Sequence, residues 1–402
     1  MSELYDLPNG WRWKKLSGVA KLQNGFAFKS NLFVNNGLPI VRIKNIQNEK
    51  VLLDDVVYFN PKDYRKKLDT YQIKRNDLLI AMSGATTGKI GLYESDEVAY
   101  LNQRVGLFRI EETSLRSYLF YFLSTQIEKN LEQSLGAAQP NLSTEQINNI
   151  DLPLPSLSEQ KRIVSKLDKL FASIDKAIAL HQINMDEANV FMASVLNEVF
   201  GELEEKYETT TLDSLSTLQN GFAFKSKEFN TDGNGLRVIR IGNVLDINKN
   251  PVFIDEREEF EKYLLKQNDI VISMTGTRGK KDYLFVRIVD TNDSYLNQRV
   301  GRISNTDRAH HRYLYYYLQS NYFRDKIFEF ETGTVNQGNI SGKDIMNSYI
   351  PNIPLDIQQK VVKYLDEISE KTEKVKAVQK AKMESLKALK ASILDRAFRG
   401  EL

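Results

Sequence analysis

LQNGFAFKS occupies Leu22–Ser30 and recurs without change at Leu218–Ser226. An identity of this length within one chain marks a duplication, so the remaining sequence is read as two copies of one plan. NDLLIAMSGATTGK (Asn76–Lys89) is answered by NDIVISMTGTRGK (Asn268–Lys280), and YLNQRVG stands at both Tyr100–Gly106 and Tyr295–Gly301. Further on, YLFYFL (Tyr118–Leu123) matches YLYYYL (Tyr313–Leu318), and LPSLSEQKRIVSKLD (Leu154–Asp168) matches IPLDIQQKVVKYLD (Ile353–Asp366). Finally, SVLNEVFGEL (Ser194–Leu203) matches SILDRAFRGEL (Ser392–Leu402). Each copy spans about half the chain, a period that indicates duplicated domains and not a solenoid, whose repeats run to about 20–50 residues.

Within each copy the texture changes partway. The first part is loop-rich and mixed, an α+β pattern. LPIVRI (Leu38–Ile43), DLLIAM (Asp77–Met82) and VGLFRI (Val105–Ile110) lie between Asn, Gly and Asp turn signals and read as strands. Ser114–Gln133 places Leu115, Tyr118, Leu119, Phe122, Leu123 and Ile127 at helical intervals and reads as a helical patch. The last part is different: Ser156–Phe200 and Asp356–Phe398 contain neither Pro nor Gly. Each is expected to be one long helix, begun by a capping box at Ser156 and Glu159 and by an N-cap pair at Asp356 and Gln359.

Apolar residues on these helices follow heptad-like spacing at Ile163, Leu167, Leu170, Ile174 and Ala177. They do so again at Val361, Leu365, Ile368, Val375, Leu386, Leu389 and Ile393. The seam is impure, because the same register meets His181, Asn184, Thr372, Gln379 and Lys382. Polar seam positions fix register at a cost in stability. A helix of about 44 residues is roughly 65 Å long, and its apolar seam requires a partner. The comparable helix in this chain is its duplicate, and connectivity favours an antiparallel pair acting as a spacer between the globular parts. The expected divisions are 1–155, 156–200, 201–355 and 356–402.

Composition excludes several function classes. The 402 residues contain no Cys, which removes disulfides, thiolate nucleophiles and Cys-based zinc sites and fits a cytoplasmic protein. The three His residues form no metal-binding pair. No apolar run is long enough to span a bilayer, and MSELYDLPNG lacks a signal-peptide core. Lys plus Arg number 55 against 53 acidic residues, so net charge alone does not point to nucleic acid and any basic face must be local.

GATTGK (Gly84–Lys89) falls short of a P-loop, with three residues between its glycines and Ile90 after its lysine. Its duplicate GTRGK (Gly276–Lys280) is shorter still. The better readings are a structural turn, or a turn that offers N–H groups with Lys89, Arg278 and Lys280 to a DNA phosphate. In LQNGFAFKS, Phe26 and Phe28, with Phe222 and Phe224, read mainly as core, leaving Lys29 and Lys225 to emerge beside them. YLNQRVG carries Asn102, Gln103 and Arg104, then Asn297, Gln298 and Arg299, side-chain types that read base edges. Identity in both copies favours a shared structural or phosphate role instead.

Sequence-specific contacts belong where the copies diverge: Asn31–Gln72 against Lys227–Lys266, and GAAQPNLS (Gly136–Ser143) against GTVNQGNIS (Gly333–Ser341). Candidate DNA-contacting residues there are Arg42, Lys44, Gln139 and Asn141 in the first copy and Arg237, Arg240, Asn336 and Gln337 in the second. Arg65, Lys66, Lys67 and Lys249 supply further nearby cations. No methyltransferase, metalloprotease or hydrolase motif appears, and the acidic residues form no nuclease-like cluster, so no catalytic residue is assigned.

The openings LPNGWRWKKL (Leu7–Leu16) and KYETTTL (Lys206–Leu212), NDLLIAMSG, YLNQRVG and the LP-x-x-x-x-QK helix start, in this duplicated order, resemble the specificity subunit of type I restriction–modification enzymes. In one departure, Tyr207 stands where the first copy has Trp11. The resemblance implies two target-recognition domains, each reading half of a bipartite asymmetric DNA site, with an antiparallel coiled coil setting their spacing. It also implies docking of two methyltransferase subunits and association with restriction/translocase subunits. S-adenosylmethionine, ATP and Mg²⁺ would belong to those partners, and the chain itself would hold no cofactor. The alternative from another class is a coiled-coil adaptor with two protein-binding heads.

Overall fold

Short apolar runs bounded by Asn and Gly become short strands, and the Pro- and Gly-free stretches become very long helices. The computed structural model describes residues 5–133, 141–334 and 336–402. The chain divides into two units, Met1–Leu180 with Ala381–Leu402, and His181–Lys380. This division cuts both long helices, Leu157–Lys206 and Leu355–Arg399, so each unit holds a globular region and a segment of each helix.

In the first unit a six-stranded sheet has the order Leu22–Asn24, Val105–Phe108, Leu78–Ala81, Ile90–Leu92, Lys50–Val51, Ile46–Gln47. A five-stranded sheet has the order Phe33–Val34, Val57–Phe59, Leu38–Val41, Ala99–Leu101, Gln72–Ile73. In the latter, Leu38–Val41 and Ala99–Leu101 run parallel with Val41 opposite Leu101. The second unit repeats this step, with Leu236–Ile239 parallel to Ser294–Leu296 and Ile239 opposite Leu296. Leu78–Ala81 is buried at every position, as is its counterpart Ile270–Ser273, which explains why every residue of the two strands except Ser273 is apolar. The helical patch at Ser114–Gln133 forms two helices, Thr113–Ser124 and Ile127–Gln133. Thr125 ends the first by donating its hydroxyl to the Phe122 carbonyl.

The globular regions are fastened to the helices by tyrosines from YLFYFL and YLYYYL. Tyr118 donates to the Pro153 carbonyl at 2.6 Å, and Tyr313 to the Pro351 carbonyl at 2.8 Å. Tyr121 donates to Asp168, and Tyr316 to Asp366, which also takes the Arg312 guanidinium. Desolvation and the adjacent carboxylate push the Tyr316 phenol up to about 12. Trp11 packs against the first unit's core, whereas Tyr207 is exposed, so that aromatic position does not anchor both copies.

The helix starts differ in detail from the capping pattern. Ser156 accepts the Glu159 N–H at 3.4 Å, but the Glu159 carboxylate pairs with Arg162 instead of reaching back. Asp356 lies inside the first turn and pairs with Lys360. What the two starts share is a buried glutamine: Gln160 donates to the Pro155 carbonyl at 3.0 Å, and Gln358 to the Ile353 carbonyl at 2.9 Å. The first helix also passes through Gly201 to Lys206, because Phe200 and Leu203 pack in the second unit's core and hold the turn closed around the glycine.

The helix segments run antiparallel within each unit. In the first, Ile163, Leu167, Phe171 and Ile174 share a core with Leu386, Ile393, Ala397 and Phe398. There Arg162 donates to the Leu402 carbonyl and Lys390 pairs with Asp175 at 3.1 Å. In the second, Val195, Leu196 and Phe200 meet Val362 and Leu365, and His181 pairs with Gln379. Leu170, Val361 and Ile368 are half-buried against these cores.

Val375 and Leu389, expected on the seam, are 45% and 48% exposed. The buried face of the second helix passes instead through Gln358, Val362, Leu365, Ser369, Thr372, Lys376, Gln379, Met383, Leu386, Lys390, Ile393 and Ala397. Alternate positions lie one residue later than the apolar pattern suggests. Lysine stems fill two of them: Lys390 lies 4.7 Å from the Phe171 ring centroid with its ammonium on Asp175. Asn184 and Lys382 are exposed, whereas His181, Thr372 and Gln379 do fall on the buried face.

Candidate nucleic-acid interface

The duplicated motifs meet at the C-terminal ends of the two parallel strands. The Phe26 N–H donates to the Leu101 carbonyl at 2.8 Å, and Gln103 N–H to Phe26 at 2.9 Å. In the second copy Phe222 donates to Leu296 at 2.9 Å and Gln298 to Phe222 at 2.8 Å. The turns are so close that a Cβ on Gly25 would lie 2.1 Å from the Asn102 carbonyl oxygen, and one on Gly221 2.2 Å from that of Asn297. Glycine is required here by close approach and not by a left-handed backbone, which is where the Asn-Gly turn reading is corrected. Phe26 and Phe28 stack edgewise 5.1 Å apart beside Phe59, Tyr64 and Tyr71. Phe222 and Phe224 repeat the arrangement on Phe260.

Around this scaffold the candidate cations are largely unneutralised. Among the described residues only Lys44 of the proposed set has a carboxylate within 4 Å, on Asp55. Arg75, Arg109 and Arg302, by contrast, are paired with Asp96, Asp77 and Asp269. Lys29 and Lys225 precede equivalent turns with exposed side chains. Lys89 and Lys280 are exposed at the ends of the Gly-rich turns. The Gly84–Thr86 turn leads into strand Ile90–Leu92 and not into a helix, so it lacks the helix N-terminus of a P-loop.

Arg42 and Arg240 occupy equivalent sites, each receiving a side-chain oxygen on its backbone N–H, from Asn45 at 2.9 Å and Asn243 at 3.2 Å. Both have a buried Nε with no partner among the described residues, and Arg240 also donates to the Asn250 carbonyl. Arg237 is turned inward, donating to the Ile247 carbonyl at 2.9 Å and lying over Phe253. Arg104 is exposed, and its carbonyl accepts from Met82 N–H beside the bridge between Ser83 and Asn141. Gln139 lies outside the described residues.

The second copy draws four candidates together. Strand Thr332–Thr334 pairs with Gln337–Asn339, which pairs with Thr275–Gly276. Arg278 donates to the Gly333 carbonyl at 2.8 Å, and Gln337, with its amide oxygen facing Arg299, accepts from Nη2 at 3.2 Å. Asn336 is exposed nearby. Sequence reasoning missed Glu331, which accepts from Gly279 N–H at 2.9 Å and from the Tyr283 hydroxyl at 2.8 Å. An isolated glutamate carries no sequence signal of that role. Desolvation, together with the Glu331 carboxylate, raises the Tyr283 phenol above its ordinary value. No group of three metal-ligating side chains occurs among the described residues, and no described helix is long and apolar enough to cross a membrane.

A two-unit protein with duplicated scaffolds, unlike peripheral loops and unneutralised cations is a recognition protein by architecture. The family described as type I restriction modification DNA specificity domain matches residues 8–184 and 204–384, and the chain belongs to it. It is similar to the type I restriction enzyme EcoKI specificity subunit of Escherichia coli K12, 27% identical over 98% of this chain and 90% of that protein. It is also similar to the StySPI specificity subunit of Salmonella potsdam, 26% identical over 98% and 90%. A solved structure concerned with complex assembly and conformational transition of the type I R-M system shares the fold, with a TM-score of 0.69 and 21% identity over 99% of this chain and all of that one.

Proposed function

We propose that this chain is the non-catalytic DNA-reading subunit of a type I restriction–modification complex, each globular region reading one half of a bipartite site. The observation that carries this reading is the repeated cluster at the ends of the parallel strands, where candidate cations, all but Lys44 without a carboxylate partner among the described residues, accompany motifs identical in sequence in both units. Two like scaffolds with unlike loops suit one chain to two different half-sites. The antiparallel helices would set the distance between them.

The exposed apolar residues Ile183, Val190, Phe191 and Val378 on the helix segments of the second unit are assigned to docking of a methyltransferase subunit. Two such subunits and the restriction/translocase subunits would complete the complex and carry S-adenosylmethionine, ATP and Mg²⁺. The test is enrichment of duplexes from a randomised library by the chain assembled with its methyltransferase partner, at several salt concentrations. A motif of two separated half-sites and binding that weakens with salt are expected. Sequence-independent binding, or none, would sink the reading.

A further inference from the structure

Asn336, Gln337, Arg278 and Arg299 share one small region, but the geometry divides their work. We infer that Asn336, with Thr334 beside it, reads base edges in the half-site of the second unit, and that Arg299, Arg278 and Glu331 are positioning residues for the strand pair that carries them. The inference rests on the proposed function and assigns its specificity within this unit.

Bidentate reading of adenine requires both ends of a carboxamide to be free. Gln337 fails that requirement, since its oxygen is occupied by the Arg299 guanidinium. Asn336 meets it: the side chain is exposed and has no partner among the described residues. Thr334 is also exposed, and its hydroxyl likewise has no partner among them.

The strand pair is held from three directions. Arg278 binds the Gly333 carbonyl, Arg299 binds Gln337, and Glu331 ties the turn at Gly279 to the start of the first strand. A Cβ on Gly338 would lie 2.3 Å from Glu331 Oε1 and 3.0 Å from Arg278 Cα, so the strand rests directly on the Arg278 turn. Surface strands this short do not keep one conformation by themselves. Holding the readers in place before DNA arrives removes ordering entropy from binding.

In this unit the arginine that places the loop carries no sequence information, and an unlike residue on the loop supplies it. Arg278 and Arg299 bind neutral acceptors, so each keeps its charge and has donors left for phosphate.

The experiment uses the full chain assembled with its methyltransferase partner, selecting duplexes from a library randomised at every position, and compares wild type with Asn336→Ala, Thr334→Val and Arg299→Lys. Asn336→Ala is expected to flatten preference by roughly tenfold at one or two positions of one half-site, leaving the other half-site and affinity for siteless DNA unchanged. Thr334→Val is expected to weaken preference in the same half-site. Arg299→Lys keeps the charge but loses the two-pronged grip, so it is expected to blur that half-site while the salt dependence on siteless DNA stays as in wild type.

If wild type enriches two half-sites and Asn336→Ala retains every preference of both, the reading role is overturned while the proposed function stands. If Arg299→Lys changes only the salt dependence, Arg299 is a phosphate contact and its positioning role is overturned. A wild-type complex that enriches no motif overturns the proposed function and this inference together.

Discussion

Gly25 and Gly221 are the residues on which each scaffold closes, because nothing larger than hydrogen fits against the facing carbonyls of Asn102 and Asn297. Gly25→Ala must separate two hydrogen-bonded turns, and a loss of about 3 kcal/mol in chemical denaturation is expected, as for overpacking of a tight site. An unchanged midpoint would contradict the close approach. The identity of LQNGFAFKS announced that these glycines matter, but its reason lies in a turn some 77 residues away. Asn76 and Asn268 tell a similar story, with φ of 70° and 74°, a conformation asparagine tolerates better than most residues. Each precedes an aspartate that accepts a backbone N–H, from Lys74 and Lys266, at 2.8 Å.

The long helices show how an apolar pattern misleads by one position. Val375 and Leu389 look like seam residues but face solvent, while Lys376 and Lys390 lie on the buried face with their charges led outward. Val375→Ser is therefore expected to change stability by about 0.5 kcal/mol or less, whereas Leu365→Ala, fully buried, should cost about 2–5 kcal/mol. Thermal unfolding of both variants decides between the two phases. The tyrosines fastening globular regions to helices give a pH dependence. Tyr5, whose hydroxyl donates to the Phe398 carbonyl of the second helix at 2.7 Å, and Tyr316 are pushed up to about 12 from an ordinary value near 10, chiefly by desolvation. A group whose folded value is raised contributes stability fully present below its unfolded value. That contribution is thus retained below about pH 10 and lost as the pH rises through 12. Alkaline unfolding followed by circular dichroism should be shallower across this window in a Tyr5→Phe, Tyr316→Phe double variant; an identical profile would count against the assignment.

For the whole molecule, exchanging the first globular region for one from another member of the family should change one half-site and leave the other intact. Lengthening the helices should alter spacing and leave both half-sites unchanged. Methylome sequencing of cells carrying such chimeras reads both outcomes, and a change in both half-sites from one exchange would refute independent reading. The local sequence determined the duplication, the mixed globular regions and the existence of two long helices, because repeated motifs, turn residues and the absence of Pro and Gly act over short stretches of chain. Only the tertiary structure decided the seam phase, the convergence of the repeated motifs on the parallel strand ends and the role of Glu331. Those depend on which surfaces meet across large sequence separations, and a lysine stem, a missing Cβ or a lone carboxylate acquires its meaning from what lies opposite.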